Sequence, residues 1–501
     1  MVEEKNNIMT AKSVHTFLWP FMNENVKGDF PIDSSKLIKK GWKEKEFDIT
    51  KENTDFEDYK NKYMWNQYFN QKAKNIFSSV KEPRICKVLE IPKERFEGVT
   101  YQIEKDKEKI YELDLYSVEM HLFNFNVGIL MFTVLNHKYH DLSEIKYIND
   151  VGRRVSLPFL PSEIGENMFL GTAARLALAG KNGVISEKNF KKDLLECKDK
   201  SYSKLASLAQ PMEILDYLLN ANFESDVKKN TIKANPFTDD RMFLIAAVRD
   251  DLLSKKIKSD LKSDKLKDEI YALLFADQGD PTCQNKEMRD DILNHALYTR
   301  WSNLGSLTGV TNYSFMLFTS TSNEINDSVV RPFLVEYKYF VSLVLAQRLG
   351  LMIFSKRANA CAFSDKYGKK YEGQAKEASN LKDQYCIFEN QILLQEITSQ
   401  DQGIDLYRIL QKQLFIEEEK EKIKTPISNL AEIMQLKIAS KRNKLLFALT
   451  VIGAGFSLYN IIINFKLSYF CNNGLPTSYL GWIIAEIIFI IYIIIKFRPK
   501  D

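Results

Sequence analysis

The chain has 501 residues, and its 70 Lys plus Arg against 66 Asp plus Glu leave a net charge of +4. That balance offers no strongly basic domain for nucleic acid, so direct nucleic-acid binding is not expected. The six cysteines, Cys86, Cys197, Cys283, Cys361, Cys386 and Cys471, are scattered with no CxxC pair. This argues against a disulfide framework and a zinc site, and fits a reducing compartment.

The first residues, MVEEKNNIMTAK, lack an apolar run, so no signal peptide is expected. Strands are expected over 84–91, 99–103, 110–124 and 128–136. The charged run EKDKEK at 104–109 reads as a hairpin tip. LDLYSVEMHLFNF alternates well enough for a half-buried strand. A short helix is expected over 142–150 and further helices over 212–219 and 290–301. RMFLIAAV (241–248) and NYSFMLFT (312–319) read as buried strands, and GKNG (180–183) as a turn rather than a phosphate loop. Together these predict an α/β domain over 1–325.

Within that domain, INDVGRRVSLPF (148–159) sets Arg153 and Arg154 side by side between apolar stretches. Adjacent residues share neither a helix face nor a strand face. Such a doublet suits a phosphate or carboxylate ligand through charge-assisted, bidentate bonds. Asp150, Asp239, Asp240, Arg241 and Arg300 complete the candidate ligand-binding set, the acids suiting ribose hydroxyls or an amino group. Asp239-Asp240-Arg241 precede a strand, whereas ligand groups in α/β domains more often follow a strand's carboxyl end. An internal Arg–Asp salt-bridge network is the other account of these charges. No GxxxxGK[ST], HExxH, GxSxG or GxGxxG is present, and His137 and His140 in HKYH read as a solvated turn. Neither an enzyme nor a resident cofactor or metal is expected.

Downstream, 326–444 reads as a helical stalk. The apolar run 339–354 is short and contains Arg348, so it is expected to be a buried helix rather than a membrane span. Further helices are expected over 370–397 and 404–424, with Gln402-Gly403 as a break. Thr425-Pro426 reads as the next helix start, Thr as N-cap and Pro at N1. From 426 to 465 that helix would run about 60 Å.

The last stretch, 445–501, reads as a two-helix transmembrane hairpin. LLFALTVIGAGFSLYNIIINF (445–465) is 21 residues without a charge, about 31 Å as a helix and enough to cross the hydrocarbon core. LGWIIAEIIFIIYIIIKF (480–497) is shorter and holds Glu486 and a snorkelling Lys496, with Tyr479 and Trp482 in an interfacial belt. Lys441, Arg442 and Lys444 before the hairpin, and Lys496, Arg498 and Lys500 at its end, put both termini on the cytoplasmic side of the bilayer. Thr450, Gly453, Ser457, Asn460 and Asn464 recur at spacings of 3, 4, 3 and 4, so they share one seam. The seam suits a pore lining or a helix–helix contact. Two spans enclose no polar path alone, so conduction requires a homo-oligomer.

This architecture resembles the CorA divalent-cation transporter superfamily: a cytosolic α/β domain, a long stalk helix running into the first span, and a C-terminal hairpin. In that family the first span lines the pore of a homo-oligomer, usually a pentamer. Its Gly-Met-Asn signature is absent here, NIIINFKLS (460–468) standing in its place, a departure from the magnesium-selective pattern. Four stretches are similar to the CorA-like membrane effectors of type III CRISPR systems. They are HLFNFNVGILMF (121–132) with INDVGRRVSLPF, DDRMF (239–243), RWSNLGSLTGVTNYSFM (300–316) and VVRPFLVEYKYFVSLVLAQRLGLMIFS (329–355). The resemblance implies activation by SAM-AMP, a conjugate of S-adenosylmethionine and AMP, and antiviral disruption of the inner membrane that arrests or kills the infected cell. It implies Arg153 and Arg154 as ligand contacts and Asp239 or Asp240 as an acidic one, with Tyr147, Phe159 or Trp301 placed to stack an adenine. A constitutive CorA-type transporter and a membrane-anchored scaffold are the alternatives.

Overall fold

The centre of the fold is a strand that the sequence pattern conceals. SVHTFLWPFM forms β1 (Ser13–Met22), nine of whose ten residues are buried. Such a strand is covered on both faces, its polar residues Ser13, His15 and Thr16 are buried with the rest, and no alternation betrays it. Pro20 lacks the N–H that a ladder needs. β1 accommodates it because the ladder on one side ends at Leu18 and the next begins at Phe21.

The computed structural model describes residues 8, 10–23, 30–50, 56–78, 84–105, 109–156, 172–197, 213–220, 235–236, 241–322, 329–363 and 371–470. Two compact units result: Met1–Ile353 with Cys386–Glu421, and Phe354–Tyr385 with Lys422–Asp501. The first holds a thirteen-stranded sheet. After β1 come β2 (Lys43–Glu44), β3 (Cys86–Glu90), β4 (Thr100–Glu104), β5 (Ile110–Phe123), β6 (Val127–Asn136), β7 (Arg175–Gly180) and β8 (Gly183–Lys188). β9 (Asn235–Pro236), β10 (Phe243–Arg249), β11 (Leu297–Tyr298), β12 (Leu307–Val310) and β13 (Ser314–Thr319) complete it. The order is β11-β12-β13-β10-β1-β6-β5-β4-β7-β8, with β3 beside β5, β2 beside β3 and β9 beside β1. Among the described strands every pairing is antiparallel except β10 with β13. The domain is thus a mixed sheet with helices, and the GKNG turn closes the β7–β8 hairpin with Gly180 opposite Gly183.

Alternate residues of each strand serve two cores. Phe17, Met120 and Phe132 share one core with Ile148 of the helix Leu142–Val151. On the other face His121 stacks on Tyr339, to which Phe77 and Trp65 present edges, and Phe315 meets Phe340. Tyr339 and Phe340 belong to the helix Tyr337–Phe363. With both faces covered, all ten residues of β6 are buried. A charge cluster lies at this second interface. Glu119 of β5 pairs with Lys338 and, at 3.3 Å, with Lys45, which meets Glu90 at 3.0 Å. Burial pushes the Glu119 carboxyl up, but Lys338 and Lys45 outweigh it and hold the group far below the usual carboxylate range.

Helix boundaries depart from the sequence pattern in several places, among them the helix expected over 290–301, which is Lys286–Ala296 followed by β11. The buried helix expected over 339–354 lies within Tyr337–Phe363, and a separate short helix, Arg331–Val335, precedes it with the break at Glu336. Arg331–Cys361 is long and apolar enough to cross a membrane, but 78% of its most apolar stretch is buried, which places it in the protein core. Gln402-Gly403 are no break, since they lie in the first turn of the helix Asp401–Gln413. The break comes at Phe415, where φ is +55°, and the next helix starts at Ile416 rather than Pro426 and runs to Phe470. Its start signal is Glu417, Glu418 and Glu419 in the first turn, where the helix dipole favours anions. In the second unit Cys361 and Ala378 form a small core with Leu430 and Ile438, and Phe354 meets the edge of Tyr385 at 5.5 Å. The expected second span, 480–497 with Glu486, lies outside the described residues.

Candidate ligand site

The helix Leu142–Val151 ends at Gly152 for a steric reason. A Cβ there would stand 2.5 Å from the Ile148 carbonyl oxygen and 2.8 Å from Ile103 Cδ1. Tyr101 fixes the turn by donating its hydroxyl proton to the Gly152 carbonyl at 2.7 Å. The chain then delivers Arg153 and Arg154 in succession. Arg154 forms a one-residue antiparallel bridge with Arg241, and the Met242 N–H donates to the Arg153 carbonyl at 2.7 Å.

The two arginines of the doublet have different surroundings. Arg153 is 2% exposed, donates from Nη2 to the Phe275 carbonyl at 3.4 Å, and holds its guanidinium 5.4 Å from the centroid of the Tyr313 ring. Arg241 approaches the same ring at 5.0 Å. Arg154 instead donates from Nε at 3.0 Å and Nη2 at 2.7 Å to Oδ1 of Asp150. Tyr313 and Arg241 stand just before β13 and β10, the parallel neighbours, where the Leu244 N–H donates to the Tyr313 carbonyl at 3.0 Å. The cluster therefore sits at the amino ends of these strands, not at the carboxyl ends where α/β ligand sites usually lie. Phe275, just after the helix Asp264–Leu274, stacks on Tyr271 at 4.3 Å and turns an edge to Tyr313 at 6.5 Å.

Part of the positive charge is spent internally. Burial pushes the Asp150 carboxyl above its ordinary range, Arg154 and Arg153 pull it down, and Asp277 adds to the upward push. Two helices, Leu142–Val151 and Asp264–Leu274, bring their carboxyl ends here, and such ends favour cations. Among the described residues, three arginines gather here with the carboxylates of Asp150 and Asp277. A neutral relay ties the site helix to the sheet. Asn136 Nδ2 donates to Ser13 Oγ, the Ser13 hydroxyl to His15 Nε2, and His15 Nδ1–H to Asn149 Oδ1, each at 2.8 Å. Burial lowers His15 from 6.5 to about 4, so the imidazole carries no charge near neutrality.

Of the expected ligand residues, Asp150, Arg153, Arg154 and Arg241 come together. Arg300 does not join them: it lies by Tyr298 at 3.4 Å, Asp401 at 3.6 Å and Asp405 at 3.7 Å, while Trp301 donates from Nε1 to Gln402 at 2.7 Å. Tyr147 stacks on Tyr111 at 5.3 Å in the core, away from the role of an adenine platform. Asp239, Asp240 and Phe159 lie outside the described residues. Tyr313, Phe275 and Asp277 were not legible as site residues. Tyr313 stands in the turn between β12 and β13, within NLGSLTGVTNYS, where the glycines are the visible signal and nothing in the spacing links the ring to Arg153.

On the helix Ile416–Phe470, Thr450, Gly453, Ser457 and Asn460 are exposed, and Asn464 follows on the same helix. Thr450 Oγ1 donates to the Leu446 carbonyl at 2.8 Å and Ser457 Oγ to the Gly453 carbonyl at 2.9 Å, so both hydroxyls are satisfied within the helix. Leu446, Leu449 and Val451 are exposed, and Phe447 is 71% exposed. Among the described residues no group of three His, Cys, Asp or Glu is placed to hold a metal ion. No protein-family model, curated protein or solved structure matches the chain.

Proposed function

We propose that this chain is a nucleotide-gated membrane effector, its sheet unit binding an anionic nucleotide at Arg153, Arg154 and Arg241. The observation that carries this reading is the Tyr313 ring approached by two guanidiniums, with Arg154 on the adjoining bridge. Guanidiniums offer planar, bidentate donors to phosphate or carboxylate, and an aromatic ring beside them suits a base. The resemblance to CorA-like effectors of type III CRISPR systems names SAM-AMP, which offers a phosphate, a carboxylate and two adenines. The proposed response is opening or formation of a pore in a homo-oligomer, a pentamer if it follows the CorA superfamily. The uncharged stretch 445–465 of the helix Ile416–Phe470 would supply the first span in the inner membrane. That helix begins in the unit that holds the arginines and continues into the second. For the ligand to shift a closed–open equilibrium it must bind the open state more tightly.

Binding of radiolabelled SAM-AMP to the purified chain tests the reading, with Arg153→Ala/Arg154→Ala as comparison. Saturable binding that the double variant loses is the expected result. Absence of binding to the intact chain removes the nucleotide reading, and unchanged binding by the variant removes the site. Flux from liposomes separates the alternatives: ligand-dependent flux marks a gated effector, flux without ligand a constitutive transporter, and none in either condition a scaffold.

A further inference from the structure

The Asp150–Arg154 pair occupies the very donors that an incoming anion would need. We infer that Asp150 is a built-in occupant of the arginine site, so that ligand binding exchanges one anion for another and draws a proton onto the displaced carboxylate. The inference rests on the proposed anion-binding role of the site and adds how that binding is regulated.

The geometry is specific. Nε and Nη2 of Arg154 form one edge of the guanidinium fork, the edge that takes a phosphate or carboxylate bidentately. Both converge on Oδ1 of Asp150. The two side chains are 12% and 5% exposed, so solvent does little to relieve the pair. Asp150 also stands in the last turn of the helix Leu142–Val151, where the dipole disfavours an anion. Among the described residues Arg154 and Arg153 hold it ionised, Asp277 from the turn after Leu274 opposes it, and Arg241 joins the cluster at the Tyr313 ring. From beneath, Asn149 connects to His15, which is neutral. Once a ligand takes Arg154, Arg153 is what remains of these two cations against burial, the helix end and Asp277. A buried carboxyl so placed favours its protonated form, and burial already pushes this one upward with the pair intact.

Titration calorimetry of the full chain in detergent, in buffers of different ionisation enthalpy, counts protons and measures affinity together. The probes are SAM-AMP and, separately, sulfate, which does not titrate in the range used. The expected result is proton uptake on binding, larger at about pH 5.5 than at about pH 7.5. Asp150→Asn takes up none and binds about tenfold more tightly near neutrality, because its internal competitor is uncharged. The proton count on the wild-type chain needs no variant, and the unfolding midpoint of Asp150→Asn is recorded beside it. SAM-AMP binding without proton uptake, or no gain in affinity in a folded Asp150→Asn, overturns the exchange and leaves the proposed function standing. Sulfate binding with proton uptake but no SAM-AMP binding upholds the exchange and overturns the nucleotide. Binding of neither probe overturns both.

Discussion

Arg153 and Arg241, from distant parts of the chain, bring their guanidiniums to one ring, 5.4 and 5.0 Å from the centroid of Tyr313. Two cations gathered this closely repel, and the negative face of an aromatic ring is one of the few neutral groups that attracts both. Each contact is worth about 1 kcal/mol where partly desolvated. Tyr313→Ala is therefore expected to weaken SAM-AMP binding by about tenfold, and Tyr313→Phe to leave it within about twofold, since the ring and not the hydroxyl makes the contacts. Equilibrium binding of the two variants checks this, and equal loss in both would locate the effect in the hydroxyl.

Gly152 holds the hinge between the site helix and the arginine doublet. Its missing Cβ leaves room for the Ile148 carbonyl and the Ile103 methyl. Gly152→Ala must shift backbone at the end of the helix, with a destabilisation of about 2 kcal/mol. The same shift moves Arg153 off Tyr313, so loss of binding should exceed loss of stability. Denaturant titration beside ligand titration measures the two.

The strands β3 to β5 and the helix Leu142–Val151 were legible because alternation and helical spacing are local properties of the sequence, and β6 because VGILMFTVLN is a nearly unbroken apolar run. β1 was not, since burial on both faces erases alternation and Pro20 argues against a strand unless the gap in the neighbouring ladders is known. Pro426 misled in the other direction: it favours a first-turn position, but Phe415 in a left-handed conformation and the triple glutamate had already set the start. The doublet Arg153-Arg154 was visible as an oddity of charge. Its partners Arg241, Tyr313 and Phe275 are tertiary neighbours, and Arg300 shared their chemistry without sharing their place.

His15 and His121 contribute a loss of stability on mild acidification, against the opposite slope of Glu336, whose carboxyl burial pushes up to about 8. Burial lowers His15 from 6.5 to about 4 and His121 from 6.5 to about 3. Between these limits the unfolded chain binds protons that the folded chain refuses, so stability is complete above about pH 6.5 and is lost as pH falls towards 4. Each group contributes on the order of 3 kcal/mol across the whole window. Denaturant midpoints at about pH 7.5 and 5 read the slope. His15→Gln should remove the His15 part of it, losing less stability than the wild type between the two pH values, and a slope unchanged in that variant would show that His15 is not a titrating group.

Glu119 anchors the helix Tyr337–Phe363 to β5 through Lys338 and also meets Lys45. Glu119→Gln leaves Lys338 without its buried partner and Lys45 with Glu90 alone, an effect of about 3–5 kcal/mol. Adding Lys338→Met should recover part of that loss, because the uncompensated charge is then gone. Unfolding free energies of the single and double variants form the cycle that decides.

The polar seam does not begin at Thr450. Counting back by 4, 3, 4 and 3 gives Leu446, Asn443, Ala439 and Leu436, and the last three line one open groove on the helix Ile416–Phe470. A stripe with this period keeps one side of a helix towards a partner helix along its length. Asparagine inside an apolar span is unfavourable unless it faces water or a partner, so in the proposed span Asn460 and Asn464 would lie on the side of the helix away from lipid. With native cysteines replaced, Ser457→Cys and Asn460→Cys should react with water-soluble thiol reagents faster when SAM-AMP is added. Leu449→Cys, off the seam, should stay protected by lipid in both conditions. Protection of both seam thiols with and without ligand would assign the seam to helix packing instead of a water-filled path.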